Sequence, residues 1–143
     1  MPYSAQTIYD IVADIERYPE FLPYCEQLSI LSSKQEESKT SLHADMTVGY
    51  KAIKETFRSH VTLDEANKTV ITTNIQGPFK HLDNEWRIEA IKENLTDVHF
   101  TIDYAFKNWA MEKLMGSLFD KAFRTYAESF EARARALAGT PTD

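Results

Sequence analysis

Glu55 is the residue most out of keeping with its neighbours. It shares an alternation with Ile53, Phe57 and Val61, so a regular strand would turn a carboxylate into an apolar layer. Buried there, its pKa would rise and it could serve as a general acid or base. A bulge or a rim position would return it to water instead. The other candidates are weaker. His43, His60, His81 and His99 have no metal-binding spacing, and three of them fall on the polar phase of strands. Cys25 follows Pro23-Tyr24 without a nucleophile motif or an evident His or Asp partner, as a buried structural thiol would. Four glycines leave no phosphate-cradling loop or dinucleotide fingerprint. No metal, cofactor or catalytic set is expected.

The elements that position these residues are readable from periodicity. Ser4 is a good N-cap, with Ile8, Ile11, Val12 and Ile15 following at helical spacing. Pro19 and Pro23 break the chain into a short second helix or turn. The period then becomes two, with strands expected near 28–30, 42–48, 52–63, 68–76, 84–91 and 96–107, six in a meander. In the last, Val98, Phe100, Ile102, Tyr104 and Phe106 share a face. A long helix over about 109–137 follows, with Met111, Met115, Phe119, Phe123 and Ala127 as one ridge and Leu114, Leu118, Ala122, Tyr126 and Phe130 as a second. Gly139 is the expected stop, with a frayed tail at 140–143.

An antiparallel sheet with one apolar face and a helix with a wide apolar face should pack as an α+β layer, in one domain over 1–143. A twisted sheet is concave, so the contact leaves room for side chains or a cavity. Met46, Phe57, Ile71, Ile75, Trp86, Phe100, Tyr104, Met111, Met115, Phe119 and Phe123 supply its apolar lining. The methionines on one helix ridge suit a pocket that adapts to its ligand.

Bulk properties exclude several classes. The 143 residues are 43% hydrophobic and 27% charged, as in an ordinary globular domain. A formal net charge of −6 argues against generic nucleic-acid binding. The cations of the last helix, Lys113, Lys121, Arg124, Arg133 and Arg135, alternate with Glu112, Glu128 and Glu131 as on a solvated face. Apolar runs are too short to span a bilayer, no signal peptide opens the chain, and one cysteine fits a reducing cytosol.

Three stretches go further: PYSAQTIYDIVADIERYPEFLPYC at 2–25, GPFKHLDNEW at 77–86, and DYAFKN at 103–108 leading into the long helix. Together they resemble the coenzyme Q-binding branch of the START-like polyketide cyclase/dehydrase superfamily, which includes bacterial proteins named as ribosome association toxins. The matching positions are Tyr18, Pro19, Phe21 and Pro23, then Gly77, Pro78, Phe79, Lys80, Leu82 and Trp86. The resemblance implies a helix-grip fold, a curved antiparallel sheet gripping the C-terminal helix around an apolar tunnel. It implies non-catalytic binding and transfer of ubiquinone or a related polyprenyl lipid, for respiration or ubiquinone biosynthesis. It also implies a seventh strand before Tyr3-Ser4, absent from this sequence, which suggests a late start assignment or a shortened chain. Its loss would open the edge of the strand at 96–107 to pairing with another chain.

On that reading Met46, Phe57, Ile75, Phe100, Tyr104, Met115, Phe119 and Phe123 line the tunnel. Tyr18, Phe21 and Leu22, with Phe79 and Leu82, form its mouth and touch a membrane surface, while Lys80 meets anionic headgroups or a quinone oxygen. At ~0.8 kcal/mol per CH₂, each isoprenoid unit costs about 3–4 kcal/mol to leave in water, which is the physical case for a carrier. A typical pocket of ~300–1,000 Å³ would hold a quinone head and a few units of tail. The expected location is the cytoplasm, peripheral to the inner membrane. Two other readings stand beside this one: a ribosome-binding toxin-like protein, and a cyclase or hydratase using Glu55 or Asp103 inside the cavity.

Overall fold

In the computed structural model, which describes residues 1–138, Ser4 opens the first helix as its side chain predicts. Its Oγ accepts the Thr7 N–H at 3.1 Å, and helix α1 runs Ala5–Ala13 with Ile8, Tyr9, Ile11 and Val12 buried. A short 3₁₀ helix, Ile15–Glu20, carries Pro19, and the Tyr18 hydroxyl donates to the Val12 carbonyl of α1. The chain then enters six strands: β1 (Cys25–Glu36), β2 (Lys39–Tyr50), β3 (Ile53–Asp64), β4 (Thr69–Gln76), β5 (Phe79–Lys92) and β6 (Leu95–Phe106). They pair antiparallel in sequence order, the expected meander. Helix α2, Trp109–Ala138, is capped by Asn108, whose Oδ1 accepts the Met111 N–H at 2.9 Å. The expectations for Gly139 and for 140–143 lie outside the described residues.

Two bulges decide which side chains face α2. In the β3–β4 pair, Ser59 lies opposite Asn74 and Arg58 opposite Gln76, so Ile75 is the extra residue. Val70, Thr72 and Asn74 then face inward, while Ile71 and Ile75 turn to solvent, Ile75 with 47% of its surface exposed. The expectation that Ile71 and Ile75 belong to the lining is therefore corrected. In the β5–β6 pair, Phe79 lies opposite Phe106 and His81 opposite Ala105, which makes Lys80 the extra residue. That bulge lets Phe79 and Leu82, three apart, both turn into the core, with Lys80 outside. Strand β5 thus starts at Phe79, earlier than the alternation from 84 suggests.

Gly77 fits the close approach before β5. Its φ is +148°, and a Cβ there would stand 2.5 Å from Phe57 Cβ. Along α2 the buried stripe is Met115, Leu118, Phe119, Ala122, Tyr126, Phe130 and Ala134. Leu114 is exposed, contrary to its place on the expected second ridge, because the stripe narrows where the helix begins. At the outer edge of β6, Thr96 forms one backbone rung with Met1, whose ammonium donates to the Thr96 carbonyl at 2.7 Å while the Thr96 N–H donates back at 2.9 Å. No other strand pairs with that edge among the described residues.

Candidate functional site

The core is two clusters rather than one. The larger joins α1, the 3₁₀ helix and the far half of α2 to the sheet, with Val12, Trp86, Tyr126 and Phe130 at its centre. The smaller gathers Val48, Phe57, Phe79, Leu82, Met115, Leu118 and Phe119. Met46 and Phe123 pack against both. Between the clusters lies an internal cavity of about 80 Å³. From the larger cluster Ile15, Tyr18, Trp86, Tyr126 and Phe130 line it, and from the smaller Phe57 and Leu82. Met46 and Phe123 line the seam itself, together with Phe100 and Ile102.

Of the eight residues expected to line a tunnel, Met46, Phe57, Phe100 and Phe123 border this cavity. Met115 and Phe119 are packed solid in the smaller cluster, and Tyr104 meets Phe123 edge to face, centroids 5.0 Å apart. Ile75 is outside altogether.

The expected mouth is also redistributed. Tyr18 and Leu82 are buried cavity wall, and Leu22 is buried core. Phe79 is enclosed by Phe57, Phe106 and Phe119, with centroids 5.3, 5.1 and 5.1 Å away, so it fills space and does not gate it. Phe21 is half-buried, edge-on to Phe130 at 5.1 Å and covered by the Arg133 guanidinium at 5.0 Å. Arg133 also bonds Glu20 at 2.9 Å, tying α2 to the 3₁₀ helix and holding that carboxyl below its ordinary pKa. Lys80 is exposed.

The cavity carries no charge: none of its described lining residues is Asp, Glu, Lys, Arg or His. Glu55 instead borders an open surface groove with Asp45, Arg58 and Lys107, the rim position. Asp103 points outward and pairs with His81 at 3.4 Å. Among the described residues no cluster of His, Cys, Asp or Glu could hold a metal ion. Cys25 is buried, and desolvation pushes its thiol up to about 12, so it is a packing residue at neutral pH.

Polar lining was not anticipated. Ser59, Thr72 and Asn84 stand on adjacent strands of the concave face. The signal was present in β3, because Ser59 continues the inward phase of Phe57 and Val61. Burial raises the pKa of Tyr126, with the nearby Cys25 adding to the effect, so its phenol stays protonated.

A curved antiparallel sheet closed by a long C-terminal helix over an uncharged internal cavity is the helix-grip architecture of START-like proteins. The chain matches the family described as polyketide cyclase/dehydrase and lipid transport over residues 1–131, and it belongs to that family. It is 30% identical to the ribosome association toxin RatA of Pseudomonas aeruginosa, over 97% of this chain and 93% of that protein. It is 32% identical to the mitochondrial coenzyme Q-binding protein COQ10 of Dictyostelium discoideum, over 98% of this chain and 68% of that protein. Among solved structures, the Zhui aromatase/cyclase from Streptomyces sp. R1128 superposes with a TM-score of 0.80 at 16% identity, covering 99% of this chain and 93% of that one. A START superfamily protein from Mycobacterium smegmatis gives 0.77 at 22%, covering 96% and 93%. At those identities the two structures speak for the fold alone.

Proposed function

We propose that this chain binds and hands on ubiquinone or a related polyprenyl lipid without chemically altering it. The observation that carries this reading is the uncharged, mainly apolar cavity between the two core clusters. The printed name of the Dictyostelium relative supports the same ligand class. An apolar seam offers a prenyl chain the burial that water denies it. The cavity's 80 Å³ is well under the ~300–1,000 Å³ of a typical ligand pocket. Binding therefore requires the two clusters to part. Met46 and Phe123 line the cavity, touch both clusters and are only partly buried, so they are the side chains that yield. With Glu55 and Asp103 outside the cavity, the proposed role needs no acid–base step. Added ubiquinone should raise the thermal stability of the delipidated protein; no rise, with no lipid copurified, would refute the reading.

Membrane contact is proposed at a different place from the expected mouth. Trp109 is 72% exposed, and Leu114 and Tyr50 are exposed as well. Lys113 covers the Trp109 ring at 4.9 Å, and Lys51 and Lys121 approach the Tyr50 ring at 5.2 and 5.7 Å. Aromatic rings flanked by lysines suit an anionic bilayer surface. Asp120 on the same helix is paired with Arg124 at 3.1 Å. No helix among the described residues is long and apolar enough to cross a membrane. A cytoplasmic protein peripheral to the inner membrane fits these features, and the outer edge of β6 is the proposed place for pairing with another chain.

A ribosome-associated role is the second reading, supported by the printed name of the Pseudomonas relative. It requires salt-sensitive cosedimentation with ribosomal subunits, despite the net charge of −6.

A further inference from the structure

Two of the polar side chains of the cavity have protein partners. The Tyr18 hydroxyl is used by the Val12 carbonyl. Asn84 donates its Nδ2 to the Thr101 carbonyl at 2.9 Å. Ser59 is different: only 5% of the residue is exposed, and its Oγ is buried without a hydrogen-bond partner. It sits mid-strand between Ala44 of β2 and Asn74 of β4, and no hydrogen bond joins it to Asn74. On the opposite wall, Tyr126 of α2 is buried and lines the same cavity. A buried hydroxyl without a protein partner destabilises the empty protein, and a ligand that completes it accounts for its being there.

We infer that Ser59 and Tyr126 receive the polar head of the ligand, one from the sheet and one from the helix, by donating hydrogen bonds to its carbonyl oxygens. This rests on the lipid-binding reading above and adds which end of the lipid lies innermost. The lining holds no cation to neutralise a carboxylate or phosphate, so an ionised head would be buried unpaired. The ligand class is thus an uncharged ring bearing carbonyl oxygens, with the prenyl chain running along Met46, Phe57 and Phe123. A ring with carbonyls on opposite edges offers one acceptor to each wall. The phenol of Tyr126, held protonated by burial, remains a donor.

The test uses the full chain, delipidated, as wild type, Ser59→Ala and Tyr126→Phe. Two probes are titrated: ubiquinone with a two-unit tail, and a prenyl hydrocarbon of the same length without the ring. Wild type should prefer the quinone. Each variant should bind the quinone about tenfold more weakly and the hydrocarbon as wild type does. Ser59→Ala should also melt at or above the wild-type temperature when empty, since it removes an unsatisfied group. A merely structural serine would instead lower the melting temperature and leave the quinone preference alone. Variants that bind the quinone like wild type overturn the assignment of the head while the lipid-binding reading stands. A wild type that binds neither probe overturns both.

Discussion

Phe79 and Phe119 meet edge to face with centroids 5.1 Å apart, and both are essentially fully buried. Phe79 comes from the turn-proximal end of β5 and Phe119 from the middle of α2, so this contact fastens the helix to the sheet on one side of the cavity. Within GPFKHLDNEW, Phe79 is therefore packed core and Trp86 is cavity wall, and the proposed adaptable part is the seam between the clusters.

Phe79→Ala removes a large buried ring from a site with little room to collapse. It should cost about 3–5 kcal/mol of unfolding free energy. Urea denaturation followed by far-UV circular dichroism checks this. A loss under about 1 kcal/mol would mean that Phe79 behaves as a mobile gate instead of packing.

The Cys25 thiol is held up to about 12 by burial, whereas an unfolded thiol titrates near ~8.5. The folded state keeps its proton longer, so this contribution to stability is complete below about 8.5 and is lost as pH rises toward 12. Unfolding free energy should fall across that window, and Cys25→Ala should flatten the slope. At pH 8, iodoacetamide should label Cys25 slowly in the native protein and quickly in denaturant. Equal rates would contradict its burial.

Trp109→Ala combined with Lys113→Glu should weaken association with vesicles containing about 30% phosphatidylserine several-fold, leaving the melting temperature nearly unchanged, since both residues are exposed. Flotation assays with neutral vesicles as control measure it. Unchanged flotation would remove this face of α2 from the account.

The fold was largely legible, and the failures have a common cause. Strict alternation in β6 and the twin ridges of α2 report on a whole element, so noise at one position does little harm. On β4 the isoleucines looked like core, but the inward phase is Val70, Thr72 and Asn74, and Ile75 sits at a bulge set by pairing with β3. Such pairing is a long-range property that local periodicity does not contain. Lys80 repeats the lesson on β5, where one extra residue converts an apparent mouth into core. The cavity residues were half legible. Met46, Phe57, Phe100 and Phe123 stand out by size, whereas Ser59 is small and shares its phase with Glu55, so the alternation alone does not tell which polar residue lies inside. Glu55 proved to lie at the rim, and the serine inside.

The central claim is that the seam between the two core clusters carries a polyprenyl quinone. Mass spectrometry of lipids extracted from the natively purified chain tests it most directly, with Phe123→Glu as a comparison that places a charge in the seam. The account predicts a prenylated quinone recovered near one per chain from wild type and lost from the variant. Extracts with no prenylated lipid, or equal recovery from both proteins, would contradict it.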